Sequence, residues 1–248
     1  IASFLSDGAL AALYYADRIN QLPIGVIGIA AGTVVLPQMA KKLAEGDEAV
    51  ARAAQNRAME FTLLLAAPCV VAFVMIPDLI MTALFQRGKF DAMAAAAAGG
   101  TLAAYAIGLV AFVLIRSAVA SFYARGDTRT PLYASLTGIA INVALKVALM
   151  GPLAQVGLAL ATSVGAWVNV GLVIVLARRK GYFALDARFR RSAAVIALAA
   201  LGLGLVLWAG NAWLPGLLRQ TAALRASALQ PVVQLALMAA AGGAVYLG

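Results

Sequence analysis

Asp17-Arg18 lies inside a stretch, roughly Ala9 to Pro37, that is long and apolar enough to cross a bilayer. A guanidinium at the centre of a membrane helix costs about 2.5–3.5 kcal/mol on insertion scales, so it should face protein or water rather than lipid. Tyr14, Arg18, Gln21, Gly25, Gly28 and Gly32 follow one another at intervals of three or four residues and share one helical face. That face is polar at one end and glycine-smooth at the other. One reading is a packing seam, because Gly28-x-x-x-Gly32 is the close-contact motif of membrane helices. The other is the wall of a polar cavity. A seam accounts for the glycines and leaves the arginine unexplained. Arginine keeps its charge when buried and offers a rigid fork of donors, so a cavity around Arg18 suits an anion, most simply a phosphate or diphosphate.

Asp17 points about 100° away around the helix and does not directly neutralise Arg18. It is placed to orient a neighbouring helix, or to accept hydrogen bonds from Tyr14 or Gln21. Pro23 deprives the Ile19 carbonyl of its donor and predicts a kink. A charge beside a broken helical turn is an arrangement found at transporter substrate sites. Pro68 and Pro77, in the next apolar run, read as prolines tolerated within a span.

Two further basic residues lie within spans. Arg116 stands about two turns from a helix end, where it can snorkel to the interface. Lys146 follows Asn142 by one turn, and reads as a snorkelling lysine or as a tethered internal cation. Trp167 and Asn169 read as packing residues or an interface anchor.

The elements that must position these side chains are membrane helices. The chain is 64% hydrophobic and 12% charged, with a mean hydropathy of +0.93, far too little charge for an ordinary soluble domain. Its net charge of +9 does not indicate nucleic acid. The basic residues gather in short loops between apolar runs rather than interleaving with aromatics along a polar surface. There is no histidine, and Cys69 is the only cysteine. Internal disulfides, His/Cys metal sites and histidine-based catalytic triads are therefore excluded. No metal and no cofactor is expected.

Seven apolar runs qualify as spans, at about 9–38, 60–84, 93–123, 131–150, 153–177, 193–214 and 230–247. Ile1 to Gly8 reads as an entry loop or the tail of a preceding helix, and the start at Ile1 suggests a piece of a longer protein. Loops after the first, third and fifth spans hold twelve of the lysines and arginines. The opposite loops hold four: Arg87, Lys89, Arg219 and Arg225. The positive-inside rule makes the richer side cytoplasmic, with the chain starting outside and ending inside. GDEAVARAAQNR, residues 46–57, reads as a short amphipathic helix on that side. In RGDTRTP, Thr130 is the expected N-cap with Pro131 at the first helical position, and Arg-Gly-Asp reads as a turn rather than an adhesion signal. The basic stretch from Arg178 to Arg191 orients the helices, or also holds anionic headgroups.

YYADRINQLPIGVIGIAAGTVVLP, then FQRGKF, then FYARGDTRTP, then GLALATSVGAWVN strongly resemble, in order and spacing, the C-terminal half of the MurJ/MviN family of lipid II flippases. The likeness runs from about Ile1 to the sixth span. It implies an all-α polytopic fold of the MOP superfamily, with two lobes around a central cavity and two extra helices forming a groove. Residues 1–180 would be most of the second lobe, 181–191 a basic linker and 192–248 a two-helix groove for the lipid tail. Family members carry an undecaprenyl-diphosphate-linked peptidoglycan precursor across the bacterial inner membrane by alternating access. The family's functional arginine falls on Arg18 and its acid on Asp17. The expected substrate-binding set is Arg18, Asp17, Tyr14, Gln21, Gly25 and Arg116. Expected partners are lipid II, membrane lipids and the N-terminal lobe that this chain lacks. Some relatives bind sodium in this lobe, but Lys146 would oppose a cation there, so no sodium site is expected. Competing readings are an exporter of other lipid-linked oligosaccharides or of drugs, and a non-transporting scaffold. A membrane enzyme would need paired carboxylates or a nucleophile with its base within the spans, and none is present.

Overall fold

A computed structural model describes residues 5–218 and 229–248, without the side chains of residues 29–34. Arg219, Arg225 and the beginning of the entry segment lie outside the described residues, as does the surrounding of Gly32. Seven helices follow in order: α1 (Asp7–Ala44), α2 (Glu48–Met75), α3 (Pro77–Phe85), α4 (Ala92–Tyr123), α5 (Arg129–Arg179), α6 (Ala187–Leu218) and α7 (Gln230–Leu247). Among the described residues, α2, α4, α5, α6 and α7 are long and apolar enough to cross a membrane.

Two helix boundaries differ from the expected spans, each for a local reason. The run at 60–84 is not one helix. Ile76 leaves helical geometry at φ −135° and ψ 41°, and Pro77 opens α3 at its first position, where its missing N–H costs nothing. Pro68, by contrast, stays inside α2. The spans at 131–150 and 153–177 are the two arms of α5, which at 51 residues would measure about 77 Å if straight. That is more than twice the roughly 30 Å hydrocarbon layer, so α5 must fold back. It does so beside Gly151-Pro152, at Ala154, the one described non-glycine residue with positive φ, at 45°. The arms then pack antiparallel through small residues. A Cβ on Gly157 would lie 2.4 Å from the Leu149 carbonyl oxygen, and one on Gly165 would lie 2.8 Å from Asn142 Cβ.

At Pro23, where a kink is expected, the helix is not broken: α1 stays helical through both Pro23 and Pro37. Residues 46–57 do not form a separate surface helix either. From Glu48 onward they are the first turns of α2, capped by the Asp47 carboxylate on the Val50 N–H at 3.1 Å. Gln55 and Asn56 on those turns are buried against the Ser117 and Ala184 carbonyls. Long-range hydrogen bonds therefore hold this segment in the bundle.

The helix α4 is the hub, with 56% of its most apolar window buried, whereas α6 has 11% and lies at the periphery. Small residues make that crowding possible. Gly108 of α4 meets the Ser163 backbone of α5, and Ser163 Oγ donates to the Ala104 carbonyl at 2.7 Å. Three glycines with positive φ, Gly46, Gly126 and Gly181, end α1, α4 and α5 in the same way. Each glycine N–H returns to the carbonyl three residues earlier, and the next N–H reaches back five, a left-handed cap that only glycine enters without strain. Arg-Gly-Asp is thus a helix stop followed by a start. Asp127, not Thr130, is the capping side chain: it accepts from the Thr130 N–H at 3.0 Å and from its hydroxyl at 2.8 Å.

Candidate functional site: two unpaired arginines on one face

The face carrying Arg18 is set by what the opposite face of α1 buries. Ala12, Ala16 and Ile19 enter a core with Ile76, Met81, Ala98 and Leu102. Tyr15 packs against Phe85 and Phe90, with ring centroids 4.8 and 4.9 Å away, and pins α1 to the α3–α4 end. Tyr14, Arg18 and Gln21 are consequently turned outward. The Arg18 guanidinium lies 4.9 Å from the centre of the Tyr14 ring, a cation–π contact worth about 0.5–1 kcal/mol at an exposed site. It has no carboxylate partner among the described residues. Asp17, half-buried, instead accepts a hydrogen bond from the Gln21 side chain. Arg18 is therefore not sealed by its neighbouring acid.

Arg116 reaches the same face from α4. A Cβ at Gly28 would lie 3.1 Å from Arg116 Nε and 3.4 Å from its Cδ, so the Arg116 side chain passes directly over the glycine. Gly25 has open space instead. Gly28 is thus a close-contact point between α1 and α4, and the residue it receives is an arginine. Arg116 has no ion-pair partner among the described residues either. Gly28 is ten residues beyond Arg18, about 15 Å along the helix, so the two cations form successive stations on one surface rather than one clamp. Asn20, on the inner side of α1, is buried with its Oδ1 unpaired.

Lys146 is not part of this face. It is half-buried on the first arm of α5, without an ion pair among the described residues. Asn142, one turn away, packs against Gly165, and Asn169 packs against Gly138. Trp167 donates from Nε1 to the Ile107 carbonyl at 2.8 Å while staying partly exposed.

The loops after α1, α4 and α5, with the helix ends that flank them and carry most of the basic residues, converge at one end of the bundle. Several of the cations there are paired. Arg57 bonds Glu60 at 2.5 Å and also Asp186. Arg125 lies 3.4 Å from Glu48 and 4.3 Å from the Tyr182 ring centre. Lys180 reaches Asp127 at 2.6 Å. The Lys180 bond and both Thr130 bonds hold the Asp127 carboxyl down at about 2. Burial pushes the Asp186 carboxyl up, but the Phe189 N–H, Arg57 and Asn56 outweigh it, and the net shift is downward.

A third feature is an apolar groove of about 410 Å³ between α2, α6 and α7, lined by Leu64, Pro68, Phe73, Leu207, Met238 and Tyr246 among others. Tyr246 donates to the Leu64 carbonyl at 2.8 Å and ties α7 to α2.

Long apolar helices and a folded-back double span together define a multi-pass membrane protein. Comparison with known proteins gives the family. Residues 1–224 match the family described as lipid II flippase MurJ, and the chain belongs to it. It is 40% identical over 210 residues to a probable lipid II flippase MurJ of Rhizobium tropici, covering 84% of this chain and 39% of that protein. It is 39% identical over 223 residues to a protein of the same description from Rhizobium meliloti (strain 1021), covering 90% of this chain and 42% of the relative. The chain thus spans about two fifths of the length of these curated relatives. Among solved structures, a lipid II flippase MurJ in an inward closed conformation superposes with a TM-score of 0.76 at 22% identity. That match covers 99% of this chain and 47% of that one, and it shows the fold.

Proposed function

We propose that this chain is the C-terminal half of a lipid II flippase, which moves an undecaprenyl-diphosphate-linked peptidoglycan precursor from the cytoplasmic to the periplasmic leaflet by alternating access. No bond is made or broken, so the role is transport rather than catalysis. The feature that supports the reading is Arg18: a permanent cation on α1, inside the run that the sequence reading takes as the first span, outward on its face and without an ion pair among the described residues. An exposed guanidinium at that depth is stable only if water or an anion meets it. Arg18 would engage the diphosphate, with Tyr14 and Gln21 beside it, and Asp17 would hold Gln21 in place.

Arg116, on Gly28, would form a second station about 15 Å along α1, nearer the basic end. One guanidinium is a poor match for a diphosphate of about two negative charges, so an N-terminal lobe of the same protein would supply further donors. Residues 1–180 would form the second lobe, 181–191 the basic linker and 192–248 the tail-binding helices. The apolar groove along α2, α6 and α7 fits the polyprenyl tail. The basic loops at one end support a cytoplasmic location for that end, in a bacterial inner membrane, with the chain starting on the periplasmic side and finishing on the cytoplasmic side.

The test is replacement of Arg18 by Ala and by Lys in the full-length protein, read by complementation of a flippase-depleted strain. Arg18→Ala should abolish complementation and Arg18→Lys should leave part of it, at unchanged protein level in the membrane. Full complementation by Arg18→Ala would remove the site.

A further inference from the structure

The basic end has one place where the charges do not balance. A cleft of about 810 Å³ lies between the start of α2 and the start of α6, lined by Arg57, Glu60, Phe61, Leu64, Arg188, Arg191, Ser192, Val195 and Ile196. Arg57 is satisfied by Glu60 and Asp186. Arg188 touches Glu60 only at 4.0 Å, with 73% of its side chain exposed. Arg191, one turn further on, is exposed and has no partner among the described residues. Three guanidiniums against two carboxylates leave one positive charge over. The arginines also sit in the first turns of α6, where the helix dipole disfavours cations by about 0.3–1 kcal/mol each. Helix stability does not put them there.

The walls of the cleft change character within a turn. Phe61, Leu64, Val195 and Ile196 are apolar, and Leu64 also lines the deeper groove. A ligand held here has a single negative charge at the rim and hydrocarbon below it.

We propose that this cleft binds an anionic phospholipid, with its phosphodiester on Arg188, Arg191 and the Ser192 hydroxyl and one acyl chain laid between α2 and α6. One uncompensated charge matches one phosphodiester, and apolar walls directly beneath suit a lipid better than a soluble anion. The site is separate from the Arg18–Arg116 face, so it stands whether or not that face carries a diphosphate.

Native mass spectrometry of the full-length protein, with phosphatidylglycerol, phosphatidylethanolamine and inorganic phosphate as probes, tests this. The pair Arg188→Gln with Arg191→Gln should weaken phosphatidylglycerol retention about tenfold and leave phosphatidylethanolamine unchanged. A control pair, Arg179→Gln with Arg190→Gln, removes the same charge outside the cleft and should change retention less than about twofold. Equal loss in both pairs would reduce the effect to diffuse surface charge and overturn the site. Displacement of phosphatidylglycerol by inorganic phosphate would overturn the lipid as occupant. Should the double variant misfold, Arg191→Gln alone leaves no carboxylate unpaired and should weaken retention about threefold to fivefold; unchanged retention there overturns the proposal.

Discussion

The basic end and the α1–α4 face hold the same residue type in opposite conditions. At the basic end Arg57, Arg125 and Lys180 each meet a carboxylate, and each pair joins segments far apart in sequence. On the α1–α4 face Arg18 lies against the Tyr14 ring and Arg116 against Gly28, and neither is in an ion pair among the described residues. The paired cations tie separate segments together where they are partly buried, with 11% of the Arg125 side chain and 30% of the Arg57 side chain exposed. The unpaired ones, Arg18 on α1 and Arg116 on α4, are exposed. The two regions thus differ in whether a carboxylate answers the cation, not in residue type. Under the proposed function, that difference separates a cation kept for a ligand from a cation kept for the fold.

Substitutions can break this contrast. The largest effect after Arg18→Ala should come from Gly28→Leu, whose side chain would occupy the bed of Arg116 and displace its guanidinium. If Arg116 serves transport, activity should fall about tenfold, the scale of one charge-assisted hydrogen bond, with little change in thermal stability. Gly25→Ala, facing open space, should be close to neutral in the same assay. The opposite signature is expected at the basic end. Arg57→Gln should destabilise by about 1–2 kcal/mol in thermal unfolding, because Glu60 and Asp186 lose their shared partner. Transport per folded molecule should stay unchanged; a transport defect in Arg57→Gln at normal stability would dissolve the contrast.

Two smaller effects sharpen the account of the scaffold. Ala154→Gly should stabilise by about 1 kcal/mol, since glycine accepts the positive φ that alanine adopts under strain at the α5 fold-back. The last concerns acid. The Asp127 carboxyl sits at about 2 in the folded protein against an ordinary 3.8. A carboxyl depressed by folding adds stability above its unfolded pKa and loses it as pH falls through the folded one. That contribution is complete above about pH 4 and gone below about pH 2. Asp127→Asn should flatten this acid limb in detergent melts between those limits, and an unchanged limb would show that the Lys180 contact is not held in solution.

Much of this was legible in the chain itself. Apolar run length marked the spans, because water-free surroundings force every backbone group into a helix. Lysine and arginine in alternate loops marked which ends lie together, and the long-range bonds among those loops agree. The helical period put Tyr14, Arg18 and Gln21 on one face. Other features carried no readable signal. Pro77 and Pro23 look alike in sequence, yet one ends a helix and the other rides within it. Pro77 has a new helix to start, and Pro23 lies in an α1 tied down along its length. Capping by Asp127 rather than Thr130 turned on which side chain could reach the free N–H groups.

Composition and period thus determined that this protein is a bundle of membrane helices with a cation on one wall, because burial of backbone and charge in lipid obeys rules local to each helix. Only the tertiary structure decided which cations are neutralised. Pairing depends on distances between segments more than fifty residues apart, and Arg116 on Gly28 or Arg57 on Asp186 leaves no mark in the spacing of either partner.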